Sequence, residues 1–365
     1  MFFLLLFVGL GFSVNSRAQD KSLPDEEILR VDTRLVDVPV VVTDKTGKPL
    51  LNLKQSNFVV YEDGKRQEVS DFAAASAPFE VALLLDTSGS ARSDLPLIKR
   101  AAENFIASLR PGDKVSIVAF RSIVRDNKSV AVSEVLIDLT DNRGKLKEAL
   151  EAVKTSNGTP YYDGLSAVAE KVFAAAPKDE FRGRRALVAL TDGVDSTSVS
   201  DFEEARGNFS RQGIVSYFIQ VDTREFFEEN LLGDCEDAMR FSQAQIRRFY
   251  RTFYPKSRIE KVFDFCRLGD FERLDISKRL YDLAAAEMRN LAKNSGGKVF
   301  PVADLSEART AFQSVAREIG TKYSLGYYSS NEKRDGSYRK IKIELKGVPV
   351  GAQIRAREGY SAPNN

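Results

Sequence analysis

The chain has no histidine at all and only two cysteines in 365 residues. Without histidine there is no serine–histidine or cysteine–histidine nucleophile and no histidine-ligated zinc. A general base would have to be a carboxylate, a lysine or a tyrosine. Charge of one sign is lacking as well. The 54 Lys and Arg residues against 52 Asp and Glu leave a net charge of +2, so nothing points to a nucleic acid or a membrane surface as partner. After the first 18 residues no segment is apolar enough to span a bilayer. Cys235 and Cys266 lie in one irregular segment, and the choice is one disulfide between them or two buried thiols.

What is present begins with an apolar run from Phe2 to Val14, about the length of a signal-peptide core, followed by the small residues of Ser16-Arg17-Ala18. No basic residue precedes the run, which departs from the usual signal pattern. The reading is export to the periplasm or the exterior, with residues 1–18 removed. Export would allow the disulfide. The alternative is a buried N-terminal element.

Val36, Val38, Val40 and Val42 alternate with their neighbours as a strand does. A second strand is expected over 58–61, turning at Glu62-Asp63-Gly64-Lys65 into a third over 67–72. The pattern then changes. Continuous apolar runs at 81–85 and 186–190 suit strands buried on both faces of a parallel sheet. Further strands are expected at 115–120, 135–139 (an antiparallel edge), 215–221 and 298–300. Helices are expected over 95–109, 145–153, 162–173, 201–211, 280–294 and 305–319. This alternation predicts an α/β, doubly wound, mostly parallel sheet spanning 79–320. Residues 222–277 interrupt it, rich in Phe, Arg and Glu, and read as an inserted helical hairpin. Strands at 323–328, 338–345 and 352–357, with Asp335-Gly336 as a hairpin turn, are expected to join those of 31–75 in a small β-sandwich-like domain made from both ends of the chain.

Asp86-Thr87-Ser88-Gly89-Ser90 directly follows the buried run at 81–85, where ligands of open α/β sheets bind. Thr159, in Gly158-Thr159-Pro160, and Asp192, in Thr191-Asp192-Gly193, stand at comparable ends. Five oxygen donors favour Mg²⁺, Mn²⁺ or Ca²⁺ over zinc or copper. The alternative is capping and turn residues, which does not account for all three loops.

This pattern resembles the metal-ion-dependent adhesion site of von Willebrand factor type A (VWA) domains, with D-x-S-x-S, a Thr and an Asp in that order. The likeness continues through Tyr161-Tyr162-Asp163-Gly164-Leu165 and through Leu291-Ala292 with Gly296-Gly297. The flanks, in Val41-Val42-Thr43-Asp44, Phe58 to Gly64 and Arg357-Glu358-Gly359-Tyr360, resemble a bacterial exported VWFA-related subgroup. The resemblance implies a Rossmann-like fold and a site for one divalent ion, Mg²⁺ first, held by Asp86, Ser88, Ser90, Thr159 and Asp192. It also implies a partner protein whose acidic side chain completes the coordination, so the expected role is binding or adhesion and not catalysis. Two alternatives stay open: a hydrolase using metal-activated water, and an envelope scaffold in which the ion only stabilises the fold. Arg247, Arg248 and Arg251 read as a solvated helix face, and Asp94 and Asp195 as exposed loop residues. Tyr161 and Tyr162 line a ligand surface or join the core.

Overall fold

The computed structural model describes residues 35–88, 94–255 and 265–364. The apolar leader of the sequence and residues 256–264 of the inserted segment lie outside them.

A six-stranded sheet is built on β5 (Glu80–Leu85) and β8 (Arg185–Thr191), every residue of which is buried. They pair in parallel, with Leu85 opposite Leu190. Outward from β8 run β9 (Val215–Val221) and β10 (Lys298–Val302); outward from β5 run β6 (Lys114–Arg125) and β7 (Lys128–Thr140). Only β7 is antiparallel. The chain order therefore reverses direction between β5 and β8, and the carboxyl ends of these two strands open the crevice in which doubly wound sheets bind ligands.

Side chains alternate across the sheet with period two. Val81, Leu83 and Leu85 face a core filled by α1 (Leu95–Ser108), α2 (Arg143–Glu151) and α8 (Ala308–Ile319). Ala82 and Leu84 face the other core, with α3 (Tyr161–Ala167), α4 (Phe202–Gln212) and α7 (Asp270–Ser295). Burial on both faces is why these strands read as unbroken apolar runs. At the end of α7, Gly296 (φ 75°) and Gly297 have no substitute, since a Cβ on Gly297 would come within 1.9 Å of the Ser216 carbonyl oxygen.

Two four-stranded antiparallel sheets complete the fold. One has the order β13 (Gln353–Ala356), β1 (Leu35–Thr43), β11 (Tyr323–Tyr328), β4 (Val69–Ala73). The other runs β14 (Gly359–Ser361), β12 (Tyr338–Leu345), β2 (Phe58–Glu62), β3 (Lys65–Gln67). Val38, Val40, Phe58, Val60, Tyr323 and Ile341 from both sheets share one core. Chain ends and centre thus build a mixed architecture of α/β sheet and antiparallel sandwich.

Several expectations are corrected. Asp335-Gly336 closes no hairpin, because β11 and β12 belong to different sheets. The strand expected over 67–72 divides into β3 and β4, which also change sheet. β6 and β7 run well past 120 and 135 as a two-stranded arm closed by Asp126 and Asn127 at φ 50° and 56°, a left-handed turn matched to strand twist. Helix α7 begins ten residues before the expected 280. Its first turns bury Arg273 and Ser277 beside Ile276, so they lack an apolar stripe.

Residues 222–277 form α5 (Arg224–Glu229), α6 (Gln243–Phe253) and the start of α7 around a small core of Leu231, Phe241, Ile246, Phe249, Leu268 and Ile276. Arg273 lies buried in this core with its guanidinium on the carbonyls of Leu231, Gly233 and Leu268. Cys235 and Cys266 are disulfide-bonded there, their Cα atoms 5.2 Å apart. No helix among the described residues is long and apolar enough to cross a membrane.

Candidate metal site

Asp86 is the first residue after β5. Its amide still donates to the Leu190 carbonyl at 3.0 Å, extending the sheet ladder one step and fixing its carboxylate over the carboxyl end of β8. One carboxylate oxygen accepts from the Ser88 amide (3.0 Å) and the other from the Thr191 hydroxyl (2.8 Å). Asp192 follows β8 directly. Its oxygens accept from the Val194 amide (2.8 Å) and the Thr223 hydroxyl (2.5 Å). Gly193 between them takes φ 75°, and a Cβ there would meet the Met288 side chain at 2.9 Å.

Thr159 is reached from both sides. Its amide donates to the Ser196 hydroxyl (2.8 Å) and its carbonyl accepts from the Ser196 amide (2.9 Å), while Ser156 donates to the Thr87 carbonyl at 2.7 Å. The loops after β5, before α3 and after β8 are thus tied to one another. Asp86, Ser88 and Asp192 line one cleft of about 220 Å³ with Thr191 and Thr223. Buried Thr159 stands on the adjoining loop and is not part of that lining. Ser90 lies outside the described residues.

Burial pushes the Asp86 carboxyl above its ordinary range, against the hydrogen bonds of Thr191 and Ser88. Burial, then the neighbouring Asp86 charge, push Asp192 up to about 7. Asp94, Asp222 and Asp304 stand at the same cleft, and no Lys or Arg lines it among the described residues. Two neighbouring carboxylates of like charge, without a basic partner among the described residues, favour either a proton or a cation between them. Carboxylate and hydroxyl oxygens fit a hard divalent ion and give no soft ligand. Among the described residues no three His, Cys, Asp or Glu side chains converge on a metal position, so any such site rests on two carboxylates and neutral hydroxyls.

Sequence reasoning misplaced or missed several residues here. Asp195 is buried, not exposed. It caps α3 by accepting from the Tyr161 amide (2.9 Å) and the Ser198 hydroxyl, and burial pushes it up to about 7. Tyr161 and Tyr162 are both buried. Arg248 is no solvated residue, since both its contacts to Glu287 are short, 2.6 and 2.7 Å. Thr191 was legible only as the neighbour of Asp192. Thr223 and Tyr281 carried no local signal.

Residues 81–194 match the family model of the von Willebrand factor type A domain, a family that binds a divalent metal and mediates protein–protein interaction. No curated protein matches the chain. Among solved structures, a von Willebrand factor type A protein from Catenulispora acidiphila aligns at 12% identity over 92% of this chain and 75% of that one, with a TM-score of 0.43. BatB from Bacteroides thetaiotaomicron, a conserved hypothetical protein, aligns at 16% identity over 66% and 98%, with a TM-score of 0.39. Proximal thread matrix protein 1 from the mussel byssus, solved with zinc in its MIDAS motif, aligns at 15% identity over 70% and 48%, with a TM-score of 0.42. The chain thus spans about half the length of the byssus protein.

Proposed function

We propose that this chain, which carries a von Willebrand factor type A domain, is an exported module that binds a partner protein through one divalent cation, Mg²⁺ before Mn²⁺ or Ca²⁺. Asp86 and Asp192 would hold the ion with the hydroxyls of Ser88, Ser90 and Thr159. The observation that carries this reading is the placement of Asp86 and Asp192 at the ends of adjacent strands, like-charged and without a basic side chain in the cleft lining among the described residues. When bound, the ion would supply an electrophilic position that an acidic side chain of the partner completes. Only two of the five donors carry charge, so a divalent ion keeps its attraction for that carboxylate. Ser88 and Asp192 face the cleft from which the partner would approach. Thr159, cross-tied to Ser196, would join the coordination when the partner favours that arrangement. The proposed role is binding.

Calorimetry tests the site. Wild-type protein should bind one Mg²⁺ or Mn²⁺, and the Asp86→Ala, Asp192→Ala double variant should bind none while melting cooperatively in EDTA. Equal binding by both proteins would overturn the site. Capture of a partner from envelope extract should require the cation and fail in EDTA. EDTA-insensitive capture would remove the metal from the mechanism. Export is tested separately, by the N-terminus of the protein recovered outside the cytoplasm, expected at Gln19.

A further inference from the structure

The inserted segment touches the loops of the candidate site at three places, two through hydrogen bonds and one through a guanidinium over an aromatic ring. Tyr281, on α7, has its hydroxyl 2.9 Å from that of Thr223, which in turn reaches Asp192 at 2.5 Å. The Thr223 hydroxyl has one proton. With Asp192 ionised, as it must be to hold a cation, that proton goes to the carboxylate, so Tyr281 donates to Thr223. The order Tyr281 to Thr223 to Asp192 leaves one orientation for the carboxylate, already held on its other oxygen by the Val194 amide. On the opposite side, the Ser242 hydroxyl at the start of α6 donates to the Ser196 carbonyl at 2.6 Å, and the Ser196 hydroxyl accepts from the Thr159 amide. Nearly two turns further along α6, Arg248 binds both oxygens of Glu287 and lies 4.6 Å from the centre of the Tyr162 ring. The Tyr162 hydroxyl donates to the same Glu287 at 2.8 Å. Tyr162 follows Thr159 by three residues.

We propose that Thr223, Ser242 and Arg248 of the inserted segment, with Tyr281 of α7, form a positioning clamp for the cation site, in which Thr223 and Tyr281 orient Asp192 while Ser242 and Arg248 fix the loop that carries Thr159. This rests on the cation reading above. The segment is then more than an ornament on the sheet edge: it presets the spacing of donors from two separate loops. Partners behind a metal ligand typically govern affinity by about 10- to 100-fold when removed.

The test uses the full chain, with Mn²⁺ as probe and calorimetry as readout, alongside melting in EDTA. Thr223→Val keeps the shape and removes the hydroxyl, and should weaken Mn²⁺ by about tenfold or more. Thr223→Ser restores the hydroxyl and should return the affinity to within about threefold of wild type, a rescue that lost packing alone would not give. Tyr281→Phe preserves the ring against Phe227 and serves as the second variant should Thr223→Val fail to fold. Arg248→Met should broaden the Mn²⁺ electron-spin signal by loosening the Thr159 loop. Wild-type affinity in Thr223→Val and Tyr281→Phe would overturn the clamp and leave the site standing. Failure of the wild type itself to bind Mn²⁺ would overturn the site reading, and the clamp with it.

Discussion

Strands β5 and β8 lie side by side, and each carries a charge at both ends. At their amino ends the charges are opposite. Glu80 and Arg185 sit across from each other in register and pair at 2.9 Å, both buried. Arg185 also reaches the carbonyls of Phe173 and Ala175. The adjoining Arg184, fully buried, spends its guanidinium on the carbonyls of Pro78, Lys322 and Ala77 and lies 4.2 Å from the Phe79 ring centre. At the carboxyl ends the charges are alike, Asp86 and Asp192, with hydroxyl and amide donors but no base among the described residues. A buried charge that the protein neutralises itself serves the fold. One that it encloses and leaves unneutralised is where a ligand is expected. The same two strands carry both arrangements, so the contrast does not arise from different surroundings in the sheet.

The largest effect expected follows from breaking the neutralised end. Glu80→Ala leaves Arg185 buried without its carboxylate and should lower unfolding free energy by about 3–5 kcal/mol, with or without Mg²⁺, in urea titrations. Next is the tie in the inserted segment. Replacing Cys235 and Cys266 by Ser opens a loop of 31 residues and should cost about 2–4 kcal/mol. Amides of α6 should exchange faster on the change, while those of β8 keep their protection. Unreduced protein that alkylates freely at both positions would remove the tie from the argument. The carboxyl end should behave oppositely to Glu80. In EDTA, Asp192→Asn relieves repulsion with Asp86 and should move stability by less than about 1 kcal/mol. At Mg²⁺ a hundredfold above the dissociation constant, the wild type should gain about 2.7 kcal/mol that the variant does not. A cost of several kcal/mol in EDTA would erase the distinction between the two ends.

Much of this was legible because burial on both faces leaves a strong mark. The runs at 81–85 and 186–190 could belong only to interior strands, and a carboxylate directly after each located Asp86 and Asp192 at the switch point. What stayed hidden depended on partners far away in sequence. Asp335-Gly336 has turn chemistry, yet the strands around it pair with β1, β4, β2 and β14, which no local signal names. Residues 121–125 and 128–134 fell outside the expected strands because that arm of β6 and β7 is exposed or only part-buried and carries no continuous apolar run. Thr223 meets Asp192, and Tyr281 meets Thr223, only once β9 and α7 are placed. Arg248 looked like a solvated charge because its carboxylate partner, Glu287, lies about 40 residues away.

The smallest effect separates a cation that the fold requires from one that it tolerates. Lys322 is fully buried beside Arg184, Arg355 and Glu318, its ammonium on the Gly296 carbonyl at 2.6 Å. Burial first, then Arg355 and Arg184, push it down to about 7 from the ordinary 10.5, while Glu318 works against them. Below pH 7 the group is protonated in both the folded and the unfolded chain, and the burial penalty is fully present. Between about 7 and 10.5 the unfolded chain holds the proton and the folded chain does not, so this group makes stability rise with pH across that window. Lys322→Met has no such proton. The melting temperature of the wild type should therefore gain on that of the variant between pH 6.5 and 9.5, by a few degrees at most for a chain this long. Parallel profiles would mean that Lys322 keeps its charge through the window and is as firmly neutralised as Arg185. A relative gain would mean that even at the amino end one cation is held without need of its charge, which confines the strict pairing to Glu80 and Arg185.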